Sequence, residues 1–301
     1  MRLIITFTIS LLALSLYSHS IPVESIPFKV EKNHIYIYCK VNDTDSLKFL
    51  FDTGAAGTVI NQQSTGKLNL KTDGKSINVG SNGRNDVDVS SGNEIALGAI
   101  HKKEILLTII PYGTDEFDGV LGTDVMMGHI VEIDYYGQVI NFYDEDDKTI
   151  NYDGFTKLKM YSDIYPTCIK SAVVINGKKY KGLFGLDTGA DDVLTFASPF
   201  SGKYNLINKM IKIGSASGQG SDGTVFEVPV VLCPEIRFAE KHLYRIPALL
   251  SGATGGTDAT DKLAGFYGNA FLKKFNTIID YKNHLIYFRL NKNLYTDFYD
   301  D

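Results

Sequence analysis

The sequence predicts an all-β chain built from two related halves, and three observations carry that reading. A strand-like run ending in Asp-Thr-Gly-Ala occurs twice. Strand patterns separated by turn residues run through both halves. The composition holds 18 Tyr, 17 Phe and 28 Gly but no Trp, a balance that favours strands and turns over helices.

Taken in order, the chain opens on a segment that is not part of the fold. Arg2 supplies a positive start, residues 3–16 are apolar apart from Thr6, Thr8, Ser10 and Ser15, and Ser18-His19-Ser20 places small residues where a signal peptidase cuts. An apolar stretch of roughly 14 residues is shorter than the ~20 that a spanning helix needs. Residues 1–20 are therefore predicted to be a cleaved signal peptide rather than an anchor, leaving an exported chain from about Ile21. Periplasm, cell surface and extracellular medium all suit such a leader.

The first half, 21–150, begins with strand-like runs over Ile35–Val41 and Leu47–Phe51, joined by the turn residues Asn42–Asp45. In the second half, 151–301, Ile169–Ile175 and Tyr180–Leu186 flank Asn176-Gly177, a strong two-residue hairpin signal. Short helices are expected at Thr123–Gly128 and Asn269–Lys274. The acidic run Asp144–Asp147, followed by Asn151–Gly154, reads as a solvated connection between the halves, since it lacks the Gly and closing Glu of a calcium loop. Ser251–Thr260 reads as a flexible surface loop.

Charge and cysteine usage exclude several functions. With 30 basic and 35 acidic residues the formal net charge is −5, so no global positive field draws the chain to nucleic acid or to an anionic membrane. Cys39, Cys168 and Cys233 permit at most one internal disulfide, and Cys39 reads as a buried thiol within a strand. The chain has no C-x-x-C, and its six histidines lack ligand spacing, so neither a metal nor a cofactor is expected.

The internal repeat then organises the whole chain. Phe49–Ala56 recurs as Leu183–Ala190, with the aspartates at 52 and 187, an offset of 135. Gly119-Val-Leu-Gly122 recurs as Gly265-Phe-Tyr-Gly268, an offset of 146, and the same offset relates Ile133-Asp-Tyr135 to Ile279-Asp-Tyr281, Ile140 to Ile286 and Phe142 to Phe288. One Asp-Thr-Gly is weak evidence; two, each followed by matching segments in the same order, are not a chance pattern.

An apolar strand that ends in Asp-Thr-Gly delivers a carboxylate into a tight turn. Gly54 and Gly189 let the backbone bend and approach a neighbour. If the halves pack about a pseudo-two-fold axis, Asp52 and Asp187 meet there. Two such carboxylates share one proton, and a water held between them can be activated: the ionised member removes its proton while the protonated member polarises a peptide carbonyl.

These duplicated Asp-Thr-Gly-Ala segments, with the later apolar-Gly segments, resemble the aspartic proteases, and the retropepsin-like group in particular. The resemblance implies the acid protease fold in a pepsin-like bilobal arrangement, with each half a closed-barrel-like lobe and one active site between them. It implies a monomeric aspartic endopeptidase acting on polypeptide, with Asp52 and Asp187 as the catalytic pair. Thr53 and Thr188 would exchange hydroxyl-to-backbone bonds across the axis, and Gly122 and Gly268 would pack behind the aspartates. Glycine-rich hairpin flaps are implied too, with candidates at 77–84 (Gly80, Ser81, Gly83) and 213–220 (Gly214, Ser215, Gly218), which read equally well as ordinary exposed turns. Neither carries the tyrosine that pepsin-like flaps place over the substrate.

In pepsin-like enzymes the residue after the glycine often donates a hydroxyl to the aspartate. Ala55 and Ala190 cannot do so, which leads to the expectation of a pair with raised apparent pKa values and activity closer to neutral pH. Two other readings stay open at this level. A catalytically silent peptide-binding protein on the same fold would hold an extended chain by β-augmentation, and both Asp-Thr-Gly turns could be merely structural.

Overall fold

A computed structural model of the chain describes residues 20–68 and 70–299, so the predicted leader lies outside the described residues except for Ser20. The first half runs β1 (Glu24–Pro27), β2 (Lys29–Glu31), β3 (His34–Val41), β4 (Leu47–Phe51), β5 (Val59–Asn61), β6 (Gly74–Val79), β7 (Arg84–Leu97), β8 (Ile100–Ile110), β9 (Gly119–Leu121), α1 (Thr123–Met126), β10 (His129–Asp134) and β11 (Val139–Asp144). The second half runs β12 (Thr156–Tyr161), β13 (Cys168–Ile175), β14 (Lys178–Asp187), β15 (Leu194–Phe196), α2 (Ser198–Tyr204), β16 (Ile211–Gln219), β17 (Val225–Phe238), β18 (Lys241–Leu250), β19 (Gly265–Gly268), α3 (Asn269–Leu272), β20 (Phe275–Asp280) and β21 (Leu285–Leu290).

Each half closes a six-stranded barrel with the same connectivity. The first has the order β3-β4-β9-β5-β8-β7, closed by pairing of β3 with β7; the second has the order β13-β14-β19-β15-β18-β17, closed by β13 with β17. The period-2 pattern of β3 shows why: Ile35, Ile37, Cys39 and Val41 are all buried, while Tyr38 and Lys40 face outward. Cys39 is a buried free thiol as its strand pattern suggested, and Cys168 and Cys233 are likewise buried and unpaired with one another.

The two offsets in the sequence repeat meet in one piece of register. Phe51 pairs with Leu121 between β4 and β9, and Leu186 pairs with Tyr267 between β14 and β19. Each carboxylate-bearing turn therefore leaves the barrel beside the strand that carries its Gly-x-x-Gly partner. The extra residues of the second half fall between these strands, where α2 and the 251–260 loop lie. The helix α2 was not among the expected helices; Pro199 starts it, and Asn205, at a left-handed φ of 51°, ends it.

Six further strands join the lobes in a single sheet ordered β1-β11-β10-β20-β21-β12, while β2, β6 and β16 extend the barrels by pairing with β3, β7 and β17. At its centre β10 pairs antiparallel with β20: Val131 with Ile279, Glu132 with Ile278, and Ile133 with Thr277. Under the 146-residue offset, Glu132 is paired with its own equivalent, and the flanking pairs are reciprocal. The pseudo-two-fold axis thus passes through the Glu132–Ile278 pair. Buried polar groups tie the same region together: Asn269 accepts from the Tyr135 hydroxyl at 2.5 Å and donates to the Asn33 carbonyl at 2.6 Å.

Candidate active site

Asp52 follows β4 and Asp187 ends β14, so each carboxylate sits where a buried strand gives way to a turn. The turns are held by their own backbone: Gly54 N–H donates to Asp52 Oδ1 at 2.6 Å, and Gly189 N–H to Asp187 Oδ1 at 2.9 Å. Close approach of the two turns requires both glycines. A Cβ on Gly54 would stand 2.7 Å from the Asp187 carboxyl carbon, and one on Gly189 would overlap the Asp52 carboxylate.

The threonines then lock the turns to each other. Thr53 N–H donates to Thr188 Oγ1 at 3.0 Å, and Thr188 N–H to Thr53 Oγ1 at 3.2 Å. Each hydroxyl in turn donates to the opposite strand, Thr53 to Leu186 O at 2.8 Å and Thr188 to Phe51 O at 2.7 Å. Behind the turns, the segments after Gly122 and Gly268 are bonded in the same way: Thr123 N–H to Ala55 O at 2.9 Å and Asn269 N–H to Ala190 O at 2.7 Å.

The two carboxyls are half-buried, each lying against the other turn's glycine. Burial holds the Asp52 carboxyl well above the usual carboxylate range, the neighbouring Asp187 charge adds to this, and the N–H groups of Gly54 and Ala55 oppose it. Two further acids lie within electrostatic reach of Asp187. Burial pushes Asp192 up to about 7 and Asp258 up to about 6. Asp192 takes the Thr195 hydroxyl on one oxygen, while its Oδ1 has no partner among the described residues.

One residue of the site was not legible in the sequence. Tyr165, in the segment between β12 and β13, donates its hydroxyl to Asp187 Oδ2 at 2.7 Å. Alanine at 55 and 190 therefore does not leave the pair without a hydroxyl donor, as the sequence alone suggested; a tyrosine from elsewhere supplies one, and only on one side.

The second hairpin and the 251–260 loop also differ from their sequence reading. The first hairpin turns at 80–83, as expected for Gly80, Ser81 and Gly83. In the second, Gly214, Ser215 and Gly218 lie within β16, and the turn is at 220–224 instead, because β16 continues pairing as far as Gln219 with Val225. The two turns touch. Asp222 Oδ2 accepts from the N–H groups of Asn82 at 3.1 Å and Gly83 at 3.0 Å, and Asn78 Nδ2 donates to Ser221 O at 3.1 Å. The 251–260 segment is no free surface loop: Thr257 N–H donates to Gly80 O and Asp258 N–H to Ser81 O, both at 2.9 Å. Gly256, at φ 72°, packs so closely that a Cβ would come 2.6 Å from Ser81 O and Gly83 N. The first turn is thereby clasped from two sides by the second lobe.

Asp222 is held below the ordinary carboxylate range: burial raises it, but hydrogen bonds from Thr224, Asn82 and Gly83 together outweigh that effect. Replacing Asp222 with Ala removes two charge-assisted bonds and is expected to speed amide hydrogen exchange at Asn82 and Gly83 by about tenfold or more. Unchanged exchange at those amides would show that the clasp does not depend on this carboxylate.

Comparison with known proteins agrees with this geometry. Residues 37–125 match the family model for aspartyl protease. A crystal structure of the aspartic proteinase from Irpex lacteus superposes with a TM-score of 0.58 at 13% identity, covering 91% of this chain and 98% of that one. The chain resembles the retropepsin-like aspartic proteases. The sequence likeness lies in the first lobe, and the aspartic-protease fold extends over both. A search of curated proteins finds no match. The shared fold accounts for the duplicated barrels and the sheet that joins them. The Tyr165 bond and the clasp rest on this chain's own residues.

Proposed function

We propose that the chain is an exported aspartic endopeptidase that hydrolyses peptide bonds with a water held between Asp52 and Asp187. The observation that carries this reading is the reciprocal threonine lock, which holds the two Asp-Thr-Gly turns together so that each half-buried carboxyl lies against the glycine of the other turn. In the reaction, the water oxygen bonds to the scissile carbonyl carbon and gives a proton to the ionised carboxyl. The protonated carboxyl gives its proton to the carbonyl oxygen. When the carbon–nitrogen bond breaks, the amine nitrogen takes up the proton first taken from water, and a hydroxyl of the tetrahedral carbon returns one to the other aspartate.

In this reading 1–20 is removed on export, 21–150 and 151–301 form the two lobes, and the protein works as a monomer on an extended polypeptide. Among the described residues no helix is long and apolar enough to cross a membrane. The turns at 80–83 and 220–224 act as the cover that parts to admit the substrate. A peptide library incubated with purified protein across a range of pH tests the reading: internal cleavage is expected, with single-turnover rates that follow a bell-shaped pH profile. Binding of library peptides without cleavage at any pH would instead favour a silent peptide-binding protein.

A further inference from the structure

The two aspartates are related by symmetry in sequence but not in their surroundings. Asp187 accepts the Tyr165 hydroxyl on Oδ2 and the Gly189 N–H on Oδ1. Asp52 accepts the Gly54 N–H on Oδ1 and has no side-chain hydroxyl donor of the Tyr165 kind among the described residues. A hydroxyl that donates to a carboxylate favours its charged form, so the extra donor distinguishes the two acids.

The position of Tyr165 is built rather than incidental. Pro166 disfavours helical backbone at Tyr165 and so restricts the segment that carries it. The ring packs edge-on against Phe266, with centroids 5.1 Å apart. A side chain at 185 would meet that ring, since a Cβ there would lie 3.0 Å from its carbons; Gly185 leaves the space. The hydroxyl thus has a fixed seat over the turn of Gly54 and against Asp187.

We propose that Tyr165 is a positioning residue whose hydroxyl keeps Asp187 the ionised member of the pair and leaves the shared proton on Asp52. The proposal rests on the catalytic reading above and deepens it. Asp187 then takes the proton from water, and Asp52 donates to the carbonyl oxygen. Tyr165 keeps its own proton throughout, because burial first, and then the two carboxylates, hold it far above the ordinary tyrosine range.

The other titratable groups facing this cluster do not supply the same bias. Tyr112 and Tyr281 lie within reach of Asp52, and burial pushes both too high to ionise at working pH. Cys168, beside Tyr165, is pushed up to about 12 by burial. Burial pushes Asp192 up to about 7 and Asp258 up to about 6, and as acids they bring no opposite charge to Asp187.

Tyr165→Phe keeps the ring and removes only the hydroxyl. Loss of the bond should move the acid limb of kcat/KM upward by about one pH unit and leave the alkaline limb in place, giving a narrower bell. A merely structural role would lower the whole profile without shifting one limb. The same change is read without activity from carboxyl 13C titration of aspartate-labelled protein, with the pair assigned by difference against Asp52→Asn and Asp187→Asn. The low-pH transition should rise by a similar amount in Tyr165→Phe. An acid limb and a 13C transition that both stay put would overturn the proposal. Absence of cleavage by the wild type, with the 13C transition shifted as expected, would overturn only the catalytic reading.

Discussion

Asp52→Asn is expected to lower the single-turnover cleavage rate by about 10⁴-fold, the upper end of what a positioned acid or base contributes. Asparagine keeps the shape of the side chain and can still accept the Gly54 N–H, which lies 2.6 Å from Oδ1 in the parent. It cannot hold the shared proton or pass one to a carbonyl oxygen. The chemical step therefore fails while the fold stays intact, and peptide affinity should change by less than about threefold. Asp187→Asn should fail as badly for the complementary reason, since no carboxylate remains to take a proton from the water. Rates for either variant within tenfold of the parent, measured with the same peptide and pH, would mean that the hydrolysis is carried elsewhere.

The second large effect is on stability. Thr188→Val keeps the branched shape but removes a hydroxyl that accepts from Thr53 N–H and donates to Phe51 O. Both backbone groups are then buried without a partner, and each such group costs roughly 1–3 kcal/mol. Unfolding free energy should fall by about 3–5 kcal/mol, with a loss of on the order of 10 °C in melting temperature for a chain of this size. Thr53→Val should cost a similar amount by orphaning Thr188 N–H and Leu186 O. The double variant should cost less than the sum, because turns loosened by the first change admit water to the groups exposed by the second. Thr188→Ser retains the hydroxyl and should recover most of the loss. A valine variant as stable as the parent would show that the threonine lock contributes little.

Much of the architecture was legible because it is written twice. The offsets of 135 and 146 identified matching strands, and they converge on equivalent pairs, Phe51–Leu121 and Leu186–Tyr267. The β3, β4 and β13 boundaries followed closely from strand-like apolar runs and the turn residues between them, which are local signals. Ser251–Thr260 shows where local signals mislead. A Gly, Ser and Thr-rich run looks mobile, yet Gly256 is there to let two backbones touch, and the backbone it meets lies more than 170 residues away in sequence. The second hairpin turn was displaced for a related reason: glycines at 214 and 218 resemble turn residues, but the pairing of β16 with β17 runs on past them.

The sequence by itself determined that the chain carries two copies of one apolar strand ending in Asp-Thr-Gly, and which residues in each copy correspond. Those are properties of chain order and periodicity, and they survive without coordinates. Only the tertiary structure decided that the copies are not equal. Tyr165 reaches Asp187 across 22 residues of chain, and Asp222 reaches Asn82 and Gly83 from the opposite lobe. Hydrogen bonds of this kind depend on where folded strands bring side chains, and a repeat in sequence does not specify them. The symmetry of the pair is inherited from the repeat, and its asymmetry comes from the contacts each lobe makes with the rest of the fold.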